Sequence, residues 1–443
     1  MTQKKDNRSG ADFQARELQV TFGGNGPVEA RVNIGRKSFV RGVALALALC
    51  GASALGTAAR AETVRVTAAY YSDKTGPYFE KMAAEFHKAN PGIDIKIEVV
   101  NWDNLLQKLQ TDISGGTNAD ISIIGTRWLL DFVKDDQAEA LDSYMDAPFK
   151  DRFIGAFLAP GQIGGKTYGL PIAASARALY WNKDLFTKAG LTAAPATWDD
   201  VVTDSEKLKA AGIAGFGLQG KAIETDVYWY YALWTNGGDV VGPDGKAAFA
   251  GPAGVKALTL YKSLIDKGLT EDGVTNYTRE DLQNLFKQGR VATVITAPFL
   301  INQIAAEAPK LNYGIAPVPM GTKSATYAVT DSVVLFKNSK VKAAAWKFLD
   351  FLFTKAPRVD FTKGEGFLPT TKAEAADPYF TGNERLQTFV NLLPSAHFAP
   401  TVTGWEDTAK AVSDAVQSVY VGKAEPAAAL KAAAAKADEA LGK

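Results

Sequence analysis

The chain has 443 residues, 47% of them hydrophobic, 10% aromatic and 22% charged, a composition that can bury enough apolar surface to offset chain entropy and so excludes bulk disorder. That length exceeds one ordinary core and points to two or more packed units. A formal net charge of +1, without a basic stripe or an acidic tail, gives no electrostatic reason to expect nucleic acid or a membrane surface as partner.

Residues 1–31 are polar and carry no structural pattern, which points to an overextended start. Arg36, Lys37 and Arg41 then precede an uncharged stretch from Val43 to Leu55, and Ala59-Arg60-Ala61 places small residues at both positions a signal peptidase needs. An export signal cleaved after Ala61 is expected, and with it a periplasmic location. Gly35-Arg36-Lys37-Ser38-Phe39-Val40-Arg41 is similar to a twin-arginine signal with lysine for the second arginine. Leu47-Ala48-Leu49-Cys50 is similar to a lipobox with a bulky Leu49, which makes a lipid anchor on the extracellular face the alternative. Cys50 is the one cysteine, so the body of the protein has no thiol for disulfides, thiolate metal sites or cysteine catalysis. With only His87 and His397 besides, no metal site, no cofactor and no catalytic residue are expected.

From Glu62 the sequence alternates strand and helix, as α/β units with covered parallel sheets do. Val64 to Tyr70 reads as a strand. Pro77 opens a helix with Phe79, Met82, Ala83 and Phe86 at helical spacing, and Asn90-Pro91-Gly92 ends it. Ile93, Ile95, Ile97 and Val99 alternate with polar residues, a strand with one wet face. Trp102, Leu105, Leu106, Leu109 and Ile113 mark a second helix, and Ile121 to Ile124 a buried strand. After Gly169-Leu170-Pro171 a second unit follows. It holds a helix capped by Thr197, one around Val255, Leu258, Tyr261 and Ile265, one around Leu282, Leu285 and Phe286, and a strand from Val291 to Thr296. Val333 to Phe336 and a helix through Trp346, Leu349 and Phe353 come next, then helices around Val412, Val416 and Val419 and over 427–441. No linker separates the units, which favours several chain crossings between them.

Asn90-Pro91-Gly92-Ile93, Ala119-Asp120-Ile121, the run Gly164 to Pro171, Leu179-Tyr180-Trp181-Asn182-Lys183-Asp184-Leu185-Phe186 and Ala196-Thr197-Trp198-Asp199-Asp200 occur in an order that resembles the family 1 extracellular solute-binding proteins, the group that includes the maltose-binding protein. Asn236-Gly237-Gly238, Ala297-Pro298-Phe299, Gly366-Phe367-Leu368-Pro369 and Trp405-Glu406 extend the resemblance over nearly the whole chain after the signal. It implies a type II periplasmic binding protein fold with two doubly wound α/β lobes joined by a three-crossing hinge. Lobe 1 is expected over 62–172 and 320–357, and lobe 2 over 173–319 and 358–443, after the extension and signal in 1–61. It also implies the substrate-binding component of an ABC importer and not an enzyme. Such a protein, expected as a monomer, takes a sugar, oligosaccharide or polyol into the inter-lobe cleft and delivers it to permease subunits with an associated ATPase.

A sugar has apolar C–H faces and a rim of hydroxyls, so its site needs aromatic platforms beside groups that donate and accept. Strand ends supply them here. Tyr71, Ser72 and Asp73 follow the first strand, and Thr126, Arg127 and Trp128 follow the buried one. Tyr228 stands in an aromatic run, Phe299 follows a strand, and Trp405 begins a helix. Ser175 and Arg177 fall in the first hinge crossing, and Asp331 in Thr330-Asp331-Ser332. Packing is the competing role for Tyr71, Trp128 and Tyr228, and turn capping for Asp331; Trp102, Trp198 and Trp346 are assigned to packing or helix starts. Arg127, Arg177 and Lys74 would equally serve an anionic solute such as glycerol phosphate. The pairs Tyr70-Tyr71 and Tyr230-Tyr231 keep a ferric iron binder open, and Asp73 with Asp331 a secreted glycosidase.

Overall fold

A computed structural model describes residues 61–221 and 224–443. The extension, Cys50 and the export signal up to Arg60 lie outside the described residues. Among the described residues no helix is long and apolar enough to cross a membrane.

The strand Glu62–Ala69 sits inside the first sheet with Val64, Val66, Ala68 and Ala69 buried. It pairs in parallel with Ile93–Val100 on one side, Val64 opposite Ile95, and with Ile121–Gly125 on the other, Val66 opposite Ile121. Ile93–Val100 is the edge, which is why it tolerates Lys96 and Glu98 exposed, whereas Ile121–Gly125 is buried along its whole length and apolar but for Ser122. The helices Thr75–Ala89 and Trp102–Ser114 bury Phe79, Met82 and Phe86, and Leu105 and Leu109, respectively. Their 3.6-residue periodicity was legible in the sequence.

The long strand Thr326–Leu335 runs antiparallel to Ile121–Gly125 and, on its other side, to Gly169–Ala176. These two strands join the lobes. Leu170, Ile172 and Ala173 belong to the first hydrophobic core while Ala174 and Ala176 belong to the second; likewise Val333, Val334 and Leu335 are in the first and Tyr327 in the second. The third crossing passes from Phe367 in the first core to Leu368 in the second, where the Leu368 amide donates to the Ala174 carbonyl at 2.8 Å. The boundary expected at 357/358 falls inside the helix Lys355–Glu365. Phe361 of that helix packs against Tyr78 and Phe79 in the first core, so the change of core comes only after Phe367.

Arg177 alone separates Gly169–Ala176 from Ala178–Asn182, so the chain runs directly from one sheet into the other. The second sheet has the order Tyr313–Ala316, Ala178–Asn182, Val291–Thr296, Ala214–Phe216. It departs from the parallel pattern read in the sequence: only Ala214–Phe216 and Val291–Thr296 run parallel, because Ala178–Asn182 enters from the hinge against its neighbours. Thr197 caps the helix Trp198–Ala210 through a reciprocal box. Its Oγ1 accepts from the Asp200 amide at 3.1 Å and its own amide donates to the Asp200 carboxylate at 2.9 Å. The helix Thr225–Thr235 is buried on every side, covered by Pro252–Asp266 and Trp405–Tyr420, which explains its all-round apolarity.

Candidate functional site

The two lobes enclose a cleft of about 1170 Å³, counting the space open to solvent. Its floor is the hinge. Thr326–Leu335 carries a register irregularity between Asp331 and Ser332 in its pairing with Gly169–Ala176, and such a bulge re-aims the side chain beside it. Asp331 lines the cleft, 8% exposed, and accepts from the Tyr71 hydroxyl at 2.9 Å. Burial pushes the Asp331 carboxyl up to about 7, against the opposing pull of the Tyr71 hydrogen bond. Beside it, the Thr330 hydroxyl donates to Thr126 Oγ1 at 3.1 Å, and Thr126 and Ser332 share a hydrogen bond of 2.7 Å.

Arg177 occupies the turn between sheets and is 2% exposed. Its guanidinium donates to Ser175 Oγ at 2.7 Å and to Glu224 Oε1 at 2.5 Å, while Arg279 reaches Glu224 Oε2 at 2.9 Å. Glu224 precedes the helix Thr225–Thr235 with φ at +70°, a left-handed conformation that a non-glycine residue adopts at a cost. Burial alone would raise its carboxyl, but Arg177 and Arg279 outweigh that and bring it down to about 2. Both arginines are thereby held by Glu224, and Arg279 pairs with Glu280 as well.

Arg127 follows Ile121–Gly125 and reaches across to the other lobe. Its Nε pairs with Glu406 Oε1, its Nη2 donates to Glu406 Oε2 at 2.6 Å, and Nη1 lies 4.0 Å from Asp226 Oδ2. The guanidinium carbon stands 6.0 Å from the Trp405 ring centre. Glu406 is aimed by Gly404, which holds φ at +72° at the start of Trp405–Tyr420; a Cβ there would stand 2.1 Å from the Ala440 carbonyl oxygen. Gly404→Ala is therefore expected to lose about 2 kcal/mol or more of stability in urea unfolding. An unchanged midpoint would show that the two terminal helices adjust freely.

The walls are aromatic. Tyr71 packs edge-on against Phe367 at 4.8 Å and against Trp102 at 5.7 Å, Trp102 meets Trp128 at 5.7 Å, and Phe299 lies 6.2 Å from Phe367 on the opposite side.

Of the residues singled out in the sequence, Tyr71, Thr126, Arg127, Trp128, Ser175, Arg177, Phe299 and Asp331 line the cleft together. Ser72, Asp73, Tyr228 and Trp405 do not. Ser72 donates to Glu365 at 2.7 Å and Asp73 accepts from Tyr70 at 2.7 Å. Tyr228 is buried in the second core, donating to the Ile295 carbonyl at 2.6 Å, and Trp405 lies 1% exposed behind Arg127. Trp102, read as packing, lines the cleft, as do Glu224, Arg279 and Glu365, which sequence reasoning passed over. Their only local signal is position at a helix end.

Residues 71–358 match the family described as bacterial extracellular solute-binding protein. A putative binding protein of Brucella abortus (strain 2308) is 58% identical over 394 residues, 88% of this chain and 96% of the relative. A maltose-bound protein of T. maritima is 25% identical in sequence, superposes with a TM-score of 0.79, and is covered in full against 86% of this chain. An ABC transporter solute-binding protein of Agrobacterium radiobacter K84 in complex with ribitol is 26% identical with a TM-score of 0.75, over 85% of this chain and 98% of that one.

Proposed function

Because the chain belongs to the family of bacterial extracellular solute-binding proteins, we propose that it serves an ABC importer by holding a sugar or polyol between its lobes and presenting it to the membrane permease, without chemistry on the solute. The observation that supports this reading is the pairing of aromatic walls with a hydroxyl-bonding floor. Trp102, Tyr71 and Phe299 offer faces to C–H surfaces, while Thr126, Thr330, Ser175 and Asp331 offer donors and acceptors at one hinge. The maltose and ribitol carried by its structural neighbours are solutes of that kind. Closure follows when contacts from the second lobe favour the shut form over the open one, which takes on the order of 5 kcal/mol for a full reversal of populations. The protein acts as a monomer outside the cytoplasmic membrane.

The rival readings fare worse against the same contacts. An anionic solute would need a free arginine, and Arg127, Arg177 and Arg279 are each paired with carboxylates. For ferric iron, Tyr230 and Tyr231 are buried in the second core, and the Tyr70 and Tyr71 hydroxyls donate to Asp73 and Asp331. The Asp73 and Asp331 pair on which the glycosidase reading stood does not form, since Asp73 is outside the cleft that Asp331 lines.

Thermal denaturation of the exported protein with a panel of hexoses, pentitols and disaccharides tests the reading. A solute at about a hundred times its Kd should add about 2.7 kcal/mol to the native state and raise Tm. No rise with any member at millimolar concentration would overturn it.

A further inference from the structure

Charge in the cleft is unevenly spent. Arg127 is held from behind by Glu406 and Asp226, Arg177 and Arg279 share Glu224, and Arg279 also pairs with Glu280. These three cations therefore already answer to carboxylates. Two further carboxylates line the same cleft, Asp331 and Glu365, 8% and 6% exposed, and neither makes an ion pair with any described residue. Glu365 has both oxygens engaged by neutral donors, the Ser72 and Thr75 hydroxyls at 2.7 Å each. Asp331 differs: Tyr71 donates to Oδ2, and no described residue donates to its other oxygen. That oxygen is not closed off in the core and opens to the cleft, where a solute can complete it.

Resting on the sugar or polyol reading above, we propose that the solute carries a protonated amine, received by the free oxygen of Asp331, with Glu365 adding to the negative field. Three features of the site converge on that class. Four carboxyl groups and three guanidinium groups line the cleft, and an ammonium beside Asp331 holds that carboxyl in its charged form. An ammonium donates up to three hydrogen bonds, matching an acceptor-only carboxylate where a hydroxyl would also have to find a donor. The aromatic faces of Tyr71 and Trp102 attract a cation as well as a C–H surface, whereas the Phe299 ring already has the Arg279 guanidinium 5.2 Å from its centre.

Calorimetric titration with matched probes decides it: glucosamine, galactosamine and mannosamine against glucose, galactose and mannose, with glucose 6-phosphate and ribitol beside them. The amine member of a pair should bind at least about tenfold tighter than its neutral partner. Asp331→Asn, which keeps an acceptor for Tyr71, should weaken the amine by about tenfold or more and its neutral partner by less than about threefold. Glu365→Gln should weaken the amine in the same sense by a smaller factor, and circular dichroism checks that both variants fold. Tightest binding by a neutral or phosphorylated probe, or equal loss of both partners in Asp331→Asn, overturns the inference and leaves the sugar or polyol reading standing. Binding by none of these probes overturns the inference, and no thermal shift with the wider panel above overturns the sugar or polyol reading with it.

Discussion

Glu374→Ala should lower stability by about 3–5 kcal/mol, the cost of stripping one partner from a fully buried ion pair. Arg358 and Glu374 both have side chains 0% exposed and meet at 3.2 Å. The pair ties the helix Lys355–Glu365 to the segment that follows the third hinge crossing. Arg358 Nη2 also donates to the Thr362 and Thr370 hydroxyls at 3.1 Å each, and the guanidinium faces Phe353 and Phe361 at 5.3 and 5.4 Å from their ring centres. Glu374 accepts from Thr362 Oγ1 at 2.5 Å and from the Thr371 amide at 2.8 Å. Removing the carboxylate leaves a cation whose Nε and Nη1 already lack partners. Burial pushes the Glu374 carboxyl up, but Arg358 and the threonine donors outweigh it, so its net displacement is downward. A depressed carboxyl stabilises the fold above its ordinary value near 4.5, and the gain is lost as pH falls through the lower folded value. Wild type should therefore lose stability on acidification below about pH 4.5 more steeply than Glu374→Ala. The double variant Arg358→Met with Glu374→Leu removes both charges and should lose less than Glu374→Ala alone. Urea midpoints at neutral and acid pH read all three. A single-variant loss below about 1 kcal/mol would mean that water reaches the pair.

Periodicity carried most of the fold. Phe79, Met82 and Phe86 marked one helix face, the run Ile121 to Ile124 marked a strand of the buried kind, and Thr197 marked a helix start. Those signals are local, and the lobes are built from them. Sheet direction in the second lobe was not legible, because it depends on how the chain leaves the hinge at Arg177, a matter of tertiary path. The cleft divides in the same way. Tyr71, Thr126 and Arg127 stand directly after strands, where an open sheet exposes its carboxyl ends. Glu224 and Glu365 carry no such mark, since each is defined by partners far away in sequence: Arg177 and Arg279 for one, Ser72 and Thr75 for the other. The aromatic run from Tyr228 to Trp234 reads alike for a binding platform and for a core. Only the burial of the whole helix assigns it to packing.

Arg127→Met should weaken solute binding by about 30-fold, equivalent to about 2 kcal/mol, and leave the unliganded protein more extended in X-ray scattering. Arg127 belongs to the lobe of Ile121–Gly125, while Glu406 and Asp226 stand on helices of the second core, so this ion pair spans the cleft. Lys134, bonded to Thr403, makes a second link between the same two lobes. The lower end of the range for breaking a buried charged pair applies because the Glu406 side chain is 31% exposed and can recover solvent. Asp226 cannot, with its side chain 3% exposed and its Oδ2 lacking a hydrogen bond. Burial pushes its carboxyl up to about 6, and the Arg127 charge restrains that rise. Without the guanidinium the carboxyl should rise further and take up a proton more readily. A carboxyl raised in the shut form binds more protons there, so falling pH favours closure through this group. The binding deficit of Arg127→Met should accordingly shrink from about pH 7.5 to about 5.5, as Asp226 becomes neutral and no longer needs a cation. Glu406→Gln, which keeps Arg127 beside Asp226, should show a smaller deficit with little pH dependence. Equal affinity and equal radius of gyration for Arg127→Met and wild type would show that the two lobes are held together by the hinge strands alone.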